Sequence, residues 1–182
     1  ARIASSSRYV VNLLMRAPEM VQMLASSENL ELRPRELLSR SMSRDIGRAS
    51  DKAAAVASVR ALRRSELCRI ALADVLGAAD VTTVGLALSD LAGATLDAAL
   101  ELARREVEAP PVGVIGMGRW SGYELGYASD TDAMFVIPDG SGPEEQAAAT
   151  RLVRLACDLV GNPGPDPAMV VDTGLRPEGK GG

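Results

Sequence analysis

The 182-residue sequence contains no histidine, only two cysteines and only five aromatic residues. Without histidine, Ser-His-Asp triads, Cys-His nucleophiles and histidine-ligated metal sites are excluded. Cys68 and Cys157 lie 89 positions apart, so no CxxC motif exists, and two thiols in a reducing compartment are expected. No apolar run reaches 18 residues, and no stretch has the flanks of a signal peptide. The sequence therefore predicts a cytoplasmic location and no membrane association.

The charge of the chain is unevenly distributed. Residues 1–107 carry 15 basic and 13 acidic side chains, whereas residues 108–182 carry 5 basic and 11 acidic ones. This acidic balance argues against nucleic-acid binding. It is typical either of a site for divalent cations or of a solvated acidic face. Four of the five aromatic residues lie between Trp120 and Phe135, which indicates a specific local structure in the acidic part.

The first 107 residues predict helices. Pro18 and Pro34 each stand where proline opens a helix. Residues 48–76 contain neither glycine nor proline and predict one long helix. Arginines share a face with its apolar residues, so we expect this helix to contact neighbours on more than one side. A last helix is predicted over residues 82–107 from the apolar stripe Leu96, Leu100, Ala103 and Val107.

The hydrophobic period changes after Pro110-Pro111. Short apolar runs over 112–117, 131–137 and 169–171 predict three strands. A helix is predicted to begin near Ser141, with one apolar face formed by Ala148, Leu152, Leu155 and Leu159. The expected fold class is α+β, with a helical segment over 1–108 and a partial sheet with flanking helices over 109–182. Because three strands make an incomplete sheet and no initiator Met is present, we expect a piece of a larger protein.

Two carboxylates lie two positions apart at the start of the second predicted strand. The alternation of side chains along a strand places Asp130 and Asp132 on one face. Two such carboxylates require that one is protonated or that a cation lies between them. Oxygen ligands without nearby His or Cys favour Mg²⁺ or Mn²⁺. Asp-x-Asp pairs also occur in loops and on surfaces, so the neighbouring sequence must decide between a metal site and an ordinary surface pair.

A glycine-rich turn, Gly116 to Gly122, directly follows the first predicted strand. Glycines at such a turn let backbone N–H groups approach a phosphate closely. A dinucleotide-binding unit does not fit, because the acids come only 12 and 14 residues after Gly118 and begin a strand rather than end one. The P-loop pattern is absent too. Asp172, at the end of the third predicted strand, is either a third carboxylate of the site or an acid that caps a turn.

These elements together resemble one family. The stretch GMGRWSGYELGYASDTDAMFV (116–136) resembles the signature of the glutamine synthetase adenylyltransferases, a glycine-rich turn followed by Ser-Asp-x-Asp and an apolar strand. The stretch VDTGLRPEG (171–179) resembles the family's later Val-Asp-x-x-Leu-Arg-Pro-x-Gly motif. The helical stretches around Tyr9 and Arg60 also resemble the helices that precede the family's catalytic sheet. The resemblance covers nearly the whole chain.

The resemblance implies a nucleotidyltransferase fold, with the mixed sheet of the polymerase-beta type. Under it, Asp130, Asp132 and Asp172 would be the catalytic residues and would bind two Mg²⁺ ions. The implied nucleotide-binding residues are Gly116, Gly118, Arg119, Ser121, Gly122, Ser129 and Arg176. The family's Gly-Gly pair is Ser121-Gly122 here, so the Ser121 hydroxyl either binds a phosphate or caps the next helix. Arg176 either offsets phosphate charge or pairs with a nearby acid, and Trp120 is expected in the core.

The implied reaction is the Mg²⁺-dependent transfer of AMP from ATP to a tyrosine of glutamine synthetase, which regulates nitrogen metabolism. Glutamine synthetase is then a partner, and a PII-type signalling protein is a further one that the resemblance suggests. Two alternatives stay open: the deadenylylating half of the same family, which removes AMP with phosphate, and a non-catalytic module that binds nucleotide or partner. The helical segment either supports the catalytic half or docks the partner.

Overall fold

The computed structural model describes residues 7–174, and it is an α+β fold in which helices come first and a small sheet follows. The helical part contains α1 (Arg8–Arg16), two 3₁₀ helices (Pro18–Ala25 and Ser27–Leu30), α2 (Arg35–Arg48), α3 (Lys52–Val75) and α4 (Val81–Arg104). The sheet part contains β1 (Gly113–Gly116), the one-turn helix α5 (Gly118–Ser121), β2 (Thr131–Val136), α6 (Pro143–Gly161) and β3 (Val171–Asp172).

The long glycine-free helix is confirmed, with a later start than the composition predicts. Helix α2 continues through Gly47 to Arg48, and α3 begins at Lys52 after a short break. The Asp51 side chain accepts a hydrogen bond from the Ala54 N–H at 2.8 Å, which satisfies a free donor of the first turn and fixes the start of α3. The segment that Pro18 opens is a 3₁₀ helix rather than an α-helix.

Helix α4 is the central element of the core. It is long and apolar enough to cross a membrane, but 78% of its most apolar stretch is buried inside the protein, as is usual for the core helix of a globular fold. Three residues of the predicted stripe, Leu96, Leu100 and Ala103, are buried, while Val107 lies beyond the end of the helix and is half-buried. α4 packs against α2, α3 and α6.

The sheet has the order β1-β2-β3. β1 pairs antiparallel with β2, and Gly113 lies opposite Val136. β3 pairs parallel with β2, and Asp132 lies opposite Asp172. Thr131 and Ala133 are buried beneath the helices, whereas the alternate residues of β2 lie on the more exposed face. The sheet therefore has one covered face and one face on which polar groups reach solvent.

Helix α6 returns the chain from β2 to β3, and its buried face agrees only in part with the predicted one. Ala148 and Leu152 are buried as expected, and Ala149, Ala156 and Val160 complete the buried face, while Leu155 and Leu159 are only half-buried. Because α6 packs against the alanine-rich α4, small residues at the contact allow close approach of the two helices. One hydrophobic core runs through the helices and the sheet. Among the described residues, helices alone lie before residue 108, and strands together with helices lie after it. As a domain boundary, residue 108 stays a prediction.

Candidate functional site

Two of the three predicted acids are neighbours across the parallel strand pair. Asp132 on β2 and Asp172 on β3 are register partners, so their side chains leave the sheet on the same face, with Cα atoms about 5 Å apart. Asp132 is half-buried and Asp172 is exposed. One oxygen of Asp172 also accepts the Gly174 N–H at 2.7 Å, which orients that carboxylate. The sheet therefore places two negative charges side by side at its open face.

The glycine-rich turn closes directly onto Asp132. The Met117 N–H donates to the Asp132 carbonyl at 2.9 Å, so the turn extends the β1–β2 ladder. Gly118 then adopts a φ of +54°, and a Cβ at this position would lie 2.5 Å from Oδ2 of Asp132. No side chain fits in that space, and left-handed backbone favours glycine. The turn and the acid are thus packed together as one unit.

Asp130 precedes β2 and is exposed. Within residues 7–174, no three acidic or cysteine side chains lie close enough together to hold a metal ion. The expected convergence of Asp130, Asp132 and Asp172 into one ligand group is therefore not seen among these residues. The donor chemistry nevertheless fits a hard divalent cation, since all three acids offer oxygen ligands, and their role as metal ligands stays a prediction.

The remaining residues of the turn divide between solvent and core. Arg119 and Gly122 are exposed. The Ser121 hydroxyl donates to the Gly118 carbonyl at 2.8 Å, so its proton closes the turn instead of capping a following helix. Trp120 is buried, as expected, and its Nε1–H donates to the Ser89 carbonyl at 3.1 Å. This tryptophan anchors the turn to α4.

Ser129 has a structural contact that its motif did not reveal. Its hydroxyl oxygen accepts the Gly126 N–H at 3.0 Å and so shapes the turn that leads into Asp130. Its predicted contact with nucleotide stays a prediction. Arg176 lies outside the described residues, as does the whole LRPEG stretch.

The segment between the turn and the acids is held against the helices by contacts that sequence reasoning missed. Tyr123 has a φ of +57°, and its carbonyl would lie 2.8 Å from a Cβ at Gly85 of α4. Gly85 therefore permits the close approach of this segment. Tyr127 packs against Tyr9 with ring centroids 5.1 Å apart and ring planes tilted by 47°, and its hydroxyl donates to Asp74 at 2.9 Å. The cluster of aromatic residues was the only signal of these contacts in the sequence.

Replacing Tyr127 by phenylalanine is expected to lower the free energy of unfolding by about 1 kcal/mol, because the hydrogen bond to Asp74 is lost. Burial and the contact with Asp74 raise the pKa of Tyr127 above its ordinary 10.0. The folded state therefore keeps the proton longer than the unfolded state, and stability falls as the pH rises above about 10. Urea unfolding of the chain at pH 7 and above pH 10 should show both effects. Tyr123→Phe, at an exposed ring, is the control; an equal loss in that variant would contradict the assignment.

Comparison with known proteins identifies the family. The model of the family described as glutamate-ammonia ligase adenylyltransferase matches residues 1–182. Among curated relatives, proteins of Cutibacterium acnes, Mycolicibacterium smegmatis and Mycobacterium tuberculosis are 48%, 45% and 39% identical, over 99 to 100% of this chain and 18 to 19% of their own lengths. Each is named bifunctional glutamine synthetase adenylyltransferase/adenylyl-removing enzyme. The chain spans about a fifth of the length of these relatives, and it belongs to the glutamate-ammonia ligase adenylyltransferase family.

Proposed function

We propose that this chain carries the nucleotide- and metal-binding residues of an enzyme that transfers AMP from ATP to a tyrosine hydroxyl of glutamine synthetase. The observation that supports it best is the contact of Gly118 with Asp132, which in turn lies opposite Asp172. A glycine-rich turn beside paired carboxylates suits a triphosphate and the cations that accompany it. The relatives' printed name supports the same substrate protein.

In this proposal Asp130, Asp132 and Asp172 would hold two Mg²⁺ ions. When bound, such ions offset the negative charge of the triphosphate and assist both the attacking and the leaving oxygen. The chain's own part is to position the reactants. Gly118 lets the backbone of the turn approach Asp132 closely, and the exposed Arg119 supplies a positive charge at the same turn.

The transfer itself needs no nucleophile from this chain. The tyrosine oxygen of the substrate protein forms a bond to the α-phosphorus, and the bond from that phosphorus to the bridging oxygen of the β-phosphate breaks. Pyrophosphate leaves, and the phenolic proton is released. The buried Cys68 thiol, whose pKa is raised to about 11 by its burial, is unsuited to act as a nucleophile. A PII-type regulator belongs to the same proposal and rests on the family resemblance alone, and a cytoplasmic location stays a prediction from the sequence.

The second candidate function is the removal of AMP from glutamine synthetase by phosphate. It is favoured by the relatives' name, which includes an adenylyl-removing activity. The GMGR turn, the following ELGY and the later LRPEG resemble the adenylylating half more closely. The same carboxylates would serve either direction, so the assay must separate them.

The test uses the native protein with ATP labelled at the α-phosphate, Mg²⁺ and purified glutamine synthetase. We expect label on glutamine synthetase and no transfer in the presence of a chelator. Because the relatives' name covers both activities, Asp132→Asn in the native protein separates the two candidates. Loss of transfer with release intact supports the first, and loss of the phosphate-dependent release of label from adenylylated glutamine synthetase with transfer intact supports the second. ATP binding that is independent of Mg²⁺, with neither transfer nor release, would support a non-catalytic module and contradict both enzymatic proposals.

The 182-residue chain by itself is expected to bind Mg²⁺-ATP weakly and to transfer no AMP. Its relatives are about five times longer, and its third strand contains only two residues. Incubating the chain with labelled ATP, Mg²⁺ and glutamine synthetase, beside the native protein at equal concentration, measures this. Transfer by the chain at the rate of the native protein would contradict the prediction.

A further inference from the structure

The loop that leads into β3, residues 162–168, is held by arginines of the helical part. It contains Pro163, Pro165 and Pro167 and carries the buried Asp166. Its contacts come from α1 and α3: Arg16 donates to the Pro165 carbonyl at 3.0 Å, Arg60 to the Asp166 carbonyl at 3.2 Å, Arg63 to the Pro167 carbonyl at 2.7 Å, and Arg64 pairs with the Asp166 carboxylate. We call the four arginines Arg16, Arg60, Arg63 and Arg64 the arginine clamp.

The arginine clamp buries charged groups, which costs desolvation free energy, so stability alone does not explain it. The side chain of Asp166 is only 7% exposed and that of Arg64 only 18%. The Nε atoms of Arg60 and Arg64 are buried without a hydrogen-bond partner among residues 7–174. Buried ion pairs are often no more stabilising than apolar packing of similar volume, whereas they do impose a specific geometry. The contacts are therefore better suited to setting the position of the loop than to adding stability.

Strand β3 has little pairing of its own. It contributes two residues to the sheet, and the Thr131 N–H adds one hydrogen bond to the Val170 carbonyl at 3.2 Å. Two other contacts hold the backbone just before it: the arginine clamp, and the buried Met169, whose N–H donates to the Val160 carbonyl at 2.9 Å. Only six positions separate Asp166 from Asp172, so the clamped loop lies close enough along the chain to influence the register in which Asp172 meets Asp132.

We propose that the arginine clamp is a positioning device: it holds β3 in the register that keeps Asp172 beside Asp132. The effect of the clamp on AMP transfer rests on the function proposed above. Whether the clamp sets the register of β3 against β2 can be tested without that function. Arg16, Arg60, Arg63 and Arg64 are then positioning residues, and the helical part of the chain helps to build the site at the sheet.

The test is hydrogen exchange in the native protein, with fragmentation fine enough to resolve single amides. The reporter is the Thr131 amide, whose bond to the Val170 carbonyl joins β2 to β3, and the internal reference is the Met117 amide, which bonds to Asp132 on the other side of β2. In Arg64→Gln we expect exchange at Thr131 to accelerate at least tenfold while Met117 is unchanged. Arg64→Lys should restore part of the protection, and Arg40→Gln, at an exposed position of α2, should leave both amides unchanged.

A second variant and a second measurement complete the test. If Arg64→Gln does not fold, Asp166→Asn takes its place, because it removes the charge but keeps the size and an acceptor. The affinity for Mn²⁺, measured by electron paramagnetic resonance, should fall about tenfold in the same variants. Unchanged exchange at Thr131 overturns the proposal, and so does faster exchange with unchanged Mn²⁺ affinity. A native protein that binds no Mn²⁺ and transfers no AMP contradicts the proposed function, while the exchange rates still decide whether the clamp sets the register.

Discussion

Replacing Asp132 by asparagine is expected to lower the rate of AMP transfer by a factor on the order of 10³ or more, with little change in folding stability. Asp132 touches the glycine-rich turn, lies opposite Asp172 and is the most enclosed of the three acids. Asparagine keeps the size of the side chain but removes the negative charge that a divalent cation requires. Because a repulsion with Asp172 is relieved, the free energy of unfolding should be unchanged or higher by less than about 1 kcal/mol.

The matched control is Asp139→Asn, which makes the same chemical change in the exposed turn after β2. That variant should keep transfer within about twofold of the native rate, since within residues 7–174 the Asp139 carboxylate accepts a hydrogen bond from the neighbouring Gly140 N–H alone. Transfer is measured with labelled ATP and glutamine synthetase, and stability by thermal unfolding. An Asp132→Asn protein that transfers AMP at a near-normal rate, or that fails to fold, would remove Asp132 from the proposed catalytic group.

Local signals in the sequence were sufficient to predict most helices and strands. Proline at a helix start, glycine-free stretches and apolar stripes each depend on neighbours within a few positions, and they located α2, α3, α4 and α6 within a few residues. The pattern strand–helix–strand after residue 130 also accounts for the parallel pairing of β2 with β3, because a helical crossover returns the chain in the same direction.

Contacts between distant parts of the chain were not predictable in this way. The arginines on α3 indicated contacts on more than one side, which the structure confirms, but nothing local identified a loop more than 100 positions later as their partner. The buried face of α6 was predicted only in part. Ala148 and Leu152 are buried as expected, but Ala149, Ala156 and Val160 complete the buried face, while Leu155 and Leu159 are half-buried.

In the candidate site, too, local features were predictable from the sequence and contacts between distant residues were not. Alternation along a strand and the run of glycines predicted which residues matter, but not that the turn lies against Asp132 with no room for a Cβ. The contact follows from the hydrogen bond between Met117 and Asp132, which brings the end of β1 beside the start of β2. Antiparallel register of this kind is set by the pairing of whole strands, not by the motif.

Replacing Gly118 by alanine is expected to lower AMP transfer by about a hundredfold and the free energy of unfolding by about 1 to 3 kcal/mol. The backbone has a φ of +54°, where a Cβ introduces strain, and that Cβ would lie 2.5 Å from Oδ2 of Asp132, so the turn or the carboxylate must move. Gly140→Ala, in the turn after β2, is the control, because its φ of +80° imposes the same left-handed strain while nothing lies within 4 Å of a Cβ there. Initial rates at several ATP concentrations should show a reduced kcat for Gly118→Ala and near-native kinetics for Gly140→Ala. If the two variants behave alike, the close contact between the turn and Asp132 does not set the geometry of the reaction.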